Sequence, residues 1–143
     1  MIECLYKIFI MISPLKQILI TENTLLSDIQ VAFTSYYPFL KIEFLKISTE
    51  QHNTQKPKKL DASMAVKVIT SSEMPVTLNI ESKRTISEIS FDIKKILGLA
   101  VEFSRKSGNV WNIITLTDSW TLEDQNDAGK FISTEMSLPP AEH

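Results

Sequence analysis

Two histidines and one cysteine among 143 residues leave few ways to assemble a reactive site. His52 lies in a polar stretch and His143 closes the chain, so the serines lack a partner for a nucleophile–base pair. Cys4 stands alone, which excludes an internal disulfide framework and a cysteine-rich zinc site. Gly98, Gly108 and Gly129 are too far apart to form a phosphate-cradling loop. The carboxylates are closer together. Asp118, Glu123, Asp124 and Asp127 could pair for acid–base work, but acids gather at a helix start for a simpler reason, the favourable field of its N-terminal amides. Asp124-Gln125-Asn126-Asp127-Ala128-Gly129, with Glu135 in twelfth position, nearly fits a calcium loop. Its fifth position, Ala128, offers no side-chain oxygen, and the preceding segment reads as strand rather than helix. A helical turn capped by Thr121, with Asp124 at its third position and Gly129 ending it, accounts for the same residues. The expectation is no catalytic residue, no metal, no cofactor, and a protein that is not an enzyme.

A surface for association is easier to find. Gly108-Asn109 is a two-residue hairpin signal joining a strand over 99–107 to one over 110–116. Alternation then puts Val110, Asn112, Ile114 and Leu116 on one face with Val101 and Phe103. Trp111, Ile113 and Thr115 fall on the other, with Glu102, Ser104 and Lys106. A large aromatic beside an isoleucine on an otherwise polar sheet face points to an interface or a ligand platform. The competing reading is that the N-terminal strand or the C-terminal tail of the same chain covers it. Arg105, Lys106 and Trp111, with Lys56–Lys59, make a small version of the basic, aromatic surface that nucleic acid needs. Glu43, Glu81 and Glu102 would share that sheet, the aromatic signature of RNA-binding sheets is absent, and a solvated hairpin tip accounts for Arg105 and Lys106. The candidate interface or ligand residues are Trp111, Ile113, Lys106, Arg105 and Glu102.

The elements that must position this surface follow from hydrophobic spacing. Leu26, Ile29, Phe33 and Tyr36 form one stripe of a helix over 25–36, with Thr24 as its N-cap and Pro38 beyond its end. Ile86, Ile89, Ile93 and Ile96 form the same stripe over 86–97. Thr85 and Glu88 make a capping box there, and Gly98 stands where a left-handed residue is wanted. Leu40, Ile42 and Phe44 alternate with Lys41, Glu43 and Leu45, as in a strand. The two segments align. Ile18, Ile20, Leu26, Ser27, Asp28 and Ile29 fall on Leu78, Ile80, Ile86, Ser87, Glu88 and Ile89, sixty residues on. After the helix the offset is one less, so Ile42-Glu43-Phe44 falls on Val101-Glu102-Phe103. Residues 16–46 and 76–106 thus read as an internal repeat of strand, helix, strand. Residues 48–63 read as a polar mobile loop, Met64–Thr70 as one more strand, and 133–143 as a flexible tail.

Two strand–helix–strand units predict an α+β fold of ferredoxin-like plan with an extra C-terminal strand, in a single domain over 1–143. A β-grasp fold is the alternative. Thr121-Leu122-Glu123-Asp124-Gln125-Asn126 resembles the Thr-Leu-x-Asp-x-Asn turn late in ubiquitin-like domains, and the absence of a closing Gly-Gly argues against a conjugated modifier. The stretches Phe103–Trp111 and Thr117–Asn126 resemble a small bacterial family without an assigned function. That resemblance implies a bacterial cytoplasmic setting and adds no chemistry.

Apolar residues at 43%, charged residues at 22% and a net charge of −2 are ordinary globular values, so neither disorder nor a strong pull toward nucleic acid or anionic lipid is expected. The apolar run Ile8–Ile12 is far shorter than the roughly 20 residues of a membrane span. It is not preceded by a basic start or followed by a cleavage site. It reads as a strand ending near Pro14. Met11 is an alternative natural start, with residues 1–10 an extension. The expectation is a cytoplasmic protein, with Cys4 reduced, that meets a protein partner or forms a homo-oligomer through an open sheet face. A small-ligand or single-stranded nucleic-acid module on that face is the alternative, and no membrane is involved.

Overall fold

The computed structural model describes residues 15–46 and 57–135. Cys4, His52, Lys56, His143 and the strand expected before Pro14 lie outside the described residues. Among the described residues the structure is mixed α+β, with two antiparallel sheets and no barrel. Strand β1 (Gln17–Ile20), helix α1 (Leu26–Tyr36) and strand β2 (Leu40–Leu45) come first, followed by a short helix α2 (Val66–Ile69). Strand β3 (Val76–Asn79), helix α3 (Ile86–Leu97), strand β4 (Ala100–Ser107) and strand β5 (Val110–Ile113) follow, and helix α4 (Leu122–Thr134) closes the described chain. β1 pairs with β3 in one sheet, and β2-β4-β5 is the order of the other. First strand thus bonds to first strand and second to second, with Ile18 opposite Leu78 and Glu43 opposite Glu102.

The helices form where spacing and capping put them. α3 begins at Thr85, whose Oγ1 accepts the Glu88 N–H at 3.2 Å while Glu88 Oε1 accepts the Thr85 N–H at 3.1 Å. It ends at Gly98 with φ 69°. Ile86, Ile89 and Ile93 are buried as expected; in the last turn Leu97 is the buried residue and Ile96 is only partly covered. In α1 the cap differs from expectation. Leu25 is the N-cap residue, its N–H donates to Asp28 Oδ2 at 2.9 Å, and Thr24 Oγ1 is occupied by the Thr21 N–H at 2.8 Å. The turn before the helix therefore consumes the hydroxyl that would have capped it.

Three further segments correct the sequence reading. Part of the polar stretch 48–63 is held by β2: Lys46 N donates to Lys58 O at 3.0 Å, and Leu60 N to Phe44 O at 2.9 Å. Met64–Thr70 is not a strand, because Leu26 N and Val66 N bond to Met64 O and Thr24 O and the chain turns into α2, burying Val66. Gly129 does not end a helical turn. α4 runs on through it to Thr134, into the region expected to be a flexible tail.

The core is one cluster drawn from both halves of the chain. Phe33 of α1 meets the Phe103 ring edge-on at 5.5 Å and the Tyr37 ring at 5.6 Å. Ile42 and Phe44 join them from β2, Ile18 and Leu78 from the other sheet, and Leu122 from α4. Tyr37 donates its hydroxyl to Ile80 O at 2.6 Å, linking the end of α1 to the end of β3. Burial, and then the Glu81 carboxylate, push that phenol well above its usual range, so it stays a donor.

Candidate functional site

The three-stranded sheet has two unlike faces. Leu40, Ile42, Phe44, Phe103 and Arg105 point toward the helices, and four of these five are core. The opposite face carries Lys41, Glu43, Glu102, Ser104, Lys106, Trp111 and Ile113. The pairing register fixes this, since Lys41 and Ile113 both lie beside Ser104, and Trp111 beside Lys106. Trp111, Ile113, Lys106 and Glu102 therefore share one face, as their spacing implied. Arg105 does not, because strand alternation turns it to the helix side.

Trp111 is half-buried and Ile113 is 55% exposed. The Lys41 ammonium reaches diagonally across the sheet to 5.1 Å from the Trp111 ring centre, a cation–π contact. Ser104, in the middle of the row Lys41–Ser104–Ile113, is buried. Among the described residues no helix or strand lies on this face. Beyond Trp111 it is a charge network. Glu43 and Glu102 stand directly opposite each other, an arrangement that destabilises a sheet when uncompensated. Lys59 lies 3.0 Å from Glu43 and 3.9 Å from Glu102, and Lys41 lies 3.5 Å from Glu43. Burial works to raise the Glu43 carboxyl, but Lys59 and then Lys41 outweigh it and hold the group below its usual range. Glu81 is not part of this network. It lies past β3, in the other sheet, where its Oε1 accepts the Lys16 N–H at 3.0 Å.

The hairpin that presents Trp111 is held from behind. Gly108 takes φ 67° at the first of the two turn positions, where a type II′ hairpin places glycine. Its N–H donates to Ser133 Oγ at 3.1 Å, and that hydroxyl donates to Lys106 O at 3.2 Å. Arg105 Nη1 donates to Gln125 Oε1 at 2.9 Å, and its guanidinium lies 6.0 Å from the Trp120 ring centre. Gln125 is fully buried and donates through Nε2 to Thr117 O at 2.6 Å and Thr117 Oγ1 at 2.8 Å. Arg105 is thus a structural link from β4 to α4 rather than a solvated hairpin tip.

β5 departs from expectation in its own packing. It ends at Ile113 rather than at 116, Val110 is 59% and Leu116 93% exposed, and only Ile114, just beyond the strand, touches the core. Sequence reasoning finds Lys59 only as part of the run Lys56–Lys59 available for phosphate contacts, and does not find Lys41 as part of the site. Lys41 was legible as an outward residue of β2, but its meeting with Trp111 depends on β2 pairing with β4, which alternation does not encode.

The calcium-like spacing lies within α4. There Asn126 Oδ1 accepts the Phe39 N–H at 2.9 Å and Thr121 Oγ1 the Asp124 N–H at 3.1 Å, so those residues cap and pack the helix. Among the described residues no group of three His, Cys, Asp or Glu side chains is placed to hold a metal ion. No helix among them is long and apolar enough to cross a membrane. The chain matches no family model, no curated protein and no solved structure.

Proposed function

We propose that this protein is a non-enzymatic, cytoplasmic association domain that meets a protein partner or a second copy of itself through the outer face of β2-β4-β5. The observation that carries the reading is the juxtaposition of Trp111 and Ile113 on a face that no described element covers, while the core of the same sheet lies on its other side. Lys41, Lys106, Glu43 and Glu102 surround the pair with both signs of charge, the polar rim of an interface. A single-stranded nucleic acid on the same face would meet Glu43 and Glu102, which repel its phosphates, so we favour a protein.

The reading of 16–46 and 76–106 as a duplicated unit within one domain belongs to the same proposal. Equivalent residues pair with each other, Ile18 with Leu78 and Glu43 with Glu102. Matching bonds follow each unit: Val66 N to Thr24 O and Leu122 N to Arg84 O, then Leu60 N to Phe44 O and Ile114 N to Phe103 O. The antiparallel β1–β3 pair is compatible with the ferredoxin-like plan.

Trp111→Ala tests the function. It should weaken association by about 2 kcal/mol or more, as at interface hot spots, and leave a folded chain, because Ile42, Phe44 and Phe103 keep the core. Thermal unfolding and sedimentation on one mutant decide. A loss of stability with no change of mass would mean that the chain itself covers Trp111.

A further inference from the structure

The two long edges of the three-stranded sheet are treated differently. On β2 the outward carbonyls are capped by side chains of α1: Gln30 Nε2 donates to Ile42 O at 2.9 Å and Thr34 Oγ1 to Leu40 O at 3.1 Å. On β5 nothing comparable occurs. Ile114 N donates to Phe103 O at 2.9 Å, which fixes the phase of the β4–β5 ladder. In an antiparallel ladder bonded and non-bonded pairs alternate, so Val110 and Asn112 turn their backbone groups to β4, and Trp111 and Ile113 turn theirs away from it. Among the described residues no bond reaches those outward N–H and C=O groups. The strand is short, but it lacks the chemical protections of an edge. Val110-Trp111-Asn112-Ile113 has no charge and no proline, and Val110, Asn112 and Ile113 are exposed.

We propose that β5 pairs antiparallel with β5 of a second copy, making a continuous six-stranded sheet across a twofold axis at Asn112. This rests on the association reading above and names its partner and its edge. In this register Trp111 and Ile113 of one copy exchange backbone bonds with Ile113 and Trp111 of the other. On the outer face each Trp111 then lies opposite an isoleucine, an aromatic–β-branched pair that stabilises adjacent strands. On the other face each exposed Val110 lies opposite Ile114, and the two Asn112 amides meet on the axis, where each has a donor and an acceptor to offer. The charges permit it. The two Lys106 residues, which flank the paired strands on the outer face, have their backbones three strand spacings apart, roughly 14 Å, beyond the screening length of about 8 Å.

The test uses the full chain. Sedimentation velocity over a concentration series should show a monomer–dimer equilibrium. Amide exchange should slow at Trp111 and Ile113 as the dimer forms and change least at the β2 edge. Asn112→Asp places two like charges on the axis, next to Arg105 within the monomer, so it should leave the fold intact. It should raise the dimer dissociation constant at least about tenfold, with recovery in high salt. Ile113→Pro removes an outward N–H and should raise the dissociation constant likewise, without recovery in high salt. A chain that stays monomeric at its highest soluble concentration overturns the proposal. So does a dimer whose Trp111 and Ile113 amides exchange freely. A dimer weakened by Trp111→Ala but indifferent to Asn112→Asp and Ile113→Pro overturns the edge and leaves the broader face reading standing. If Trp111→Ala is also without effect on mass, both fail.

Discussion

Replacing Gly129 by alanine is, on helix propensity alone, a stabilising change worth about 0.8–1.0 kcal/mol in a helix interior. The structure predicts the opposite sign. A Cβ at Gly129 would stand 2.8 Å from Phe39 Cβ, 3.1 Å from Arg105 Cγ and 3.2 Å from Phe39 O. Carbon pairs are comfortable at about 3.5–4.0 Å, so α4 would have to retreat by about 0.7 Å from the loop before β2. The first atom it meets is the root of a side chain, which cannot swing aside. The helix is tied to that surface by the Phe39 N–H to Asn126 Oδ1 at 2.9 Å, by Arg105 to Gln125 at 2.9 Å, and by Ser133 at the hairpin. Overpacking of this kind costs about 1–3 kcal/mol, and stretching one of those bonds about 1 kcal/mol more. Against the propensity gain, the net expectation is a loss of about 1–3 kcal/mol. Urea unfolding of Gly129→Ala beside the parent measures it directly, and the melting temperature should fall by about 3–12 °C. Equal or higher stability would refute the close approach of α4 to Phe39, and with it the account of how the hairpin is held.

Ile93→Ala should cost about 2–5 kcal/mol, the range for deleting a fully buried aliphatic side chain; a change under half of that lower bound in urea unfolding would mean α3 turns another face inward. Tyr37→Phe removes only the hydroxyl on Ile80 O and should cost about 1 kcal/mol by the same measurement. Glu43 titrates below its ordinary value of 4.5, so its contribution is present in full above that pH and disappears as pH falls through its folded value. The parent should therefore lose more stability on acidification across that window than Glu43→Gln does, and parallel pH profiles would show that Lys59 does not hold the carboxylate.

Local chemistry was the legible part of this fold. Thr85, Glu88 and Gly98 specify both ends of α3 through groups within a turn of each other, so their meaning survives without knowledge of the rest. Thr24 shows the limit. It had the right type and position for a cap, but Thr21 is close enough to claim its hydroxyl. Lys58–Leu60 looked like loop because a single bridge to β2 flanked by two backbone bonds leaves no alternation to read. Gly129 was misjudged for a related reason. Glycine signals a helix end when the backbone needs it and a close contact when the neighbour does, and only the position of Phe39 distinguishes the two. The candidate face was legible as alternation along β4 and β5. Its partners from β2 were not, because which strands pair is decided by the packing of both units together.

The hairpin carrying Trp111 is an unusual place to put an apolar surface, since β5 itself contributes no core residue. A strand with one exposed edge and little burial would fray on its own. What fixes it is α4. Ser133 holds the turn at Gly108, Arg105 reaches Gln125, and Gln125 holds the return chain at Thr117. All of Gln125's polar atoms are bonded while it is fully buried, so the network has no slack through which the hairpin could drift. α4 can lie close enough to make these bonds because position 129 lacks a side chain. The order of cause therefore runs from Gly129 to the helix, from the helix to the hairpin, and from the hairpin to the orientation of Trp111 and Ile113. Perturbing α4 should loosen the proposed contact surface without touching any residue on it.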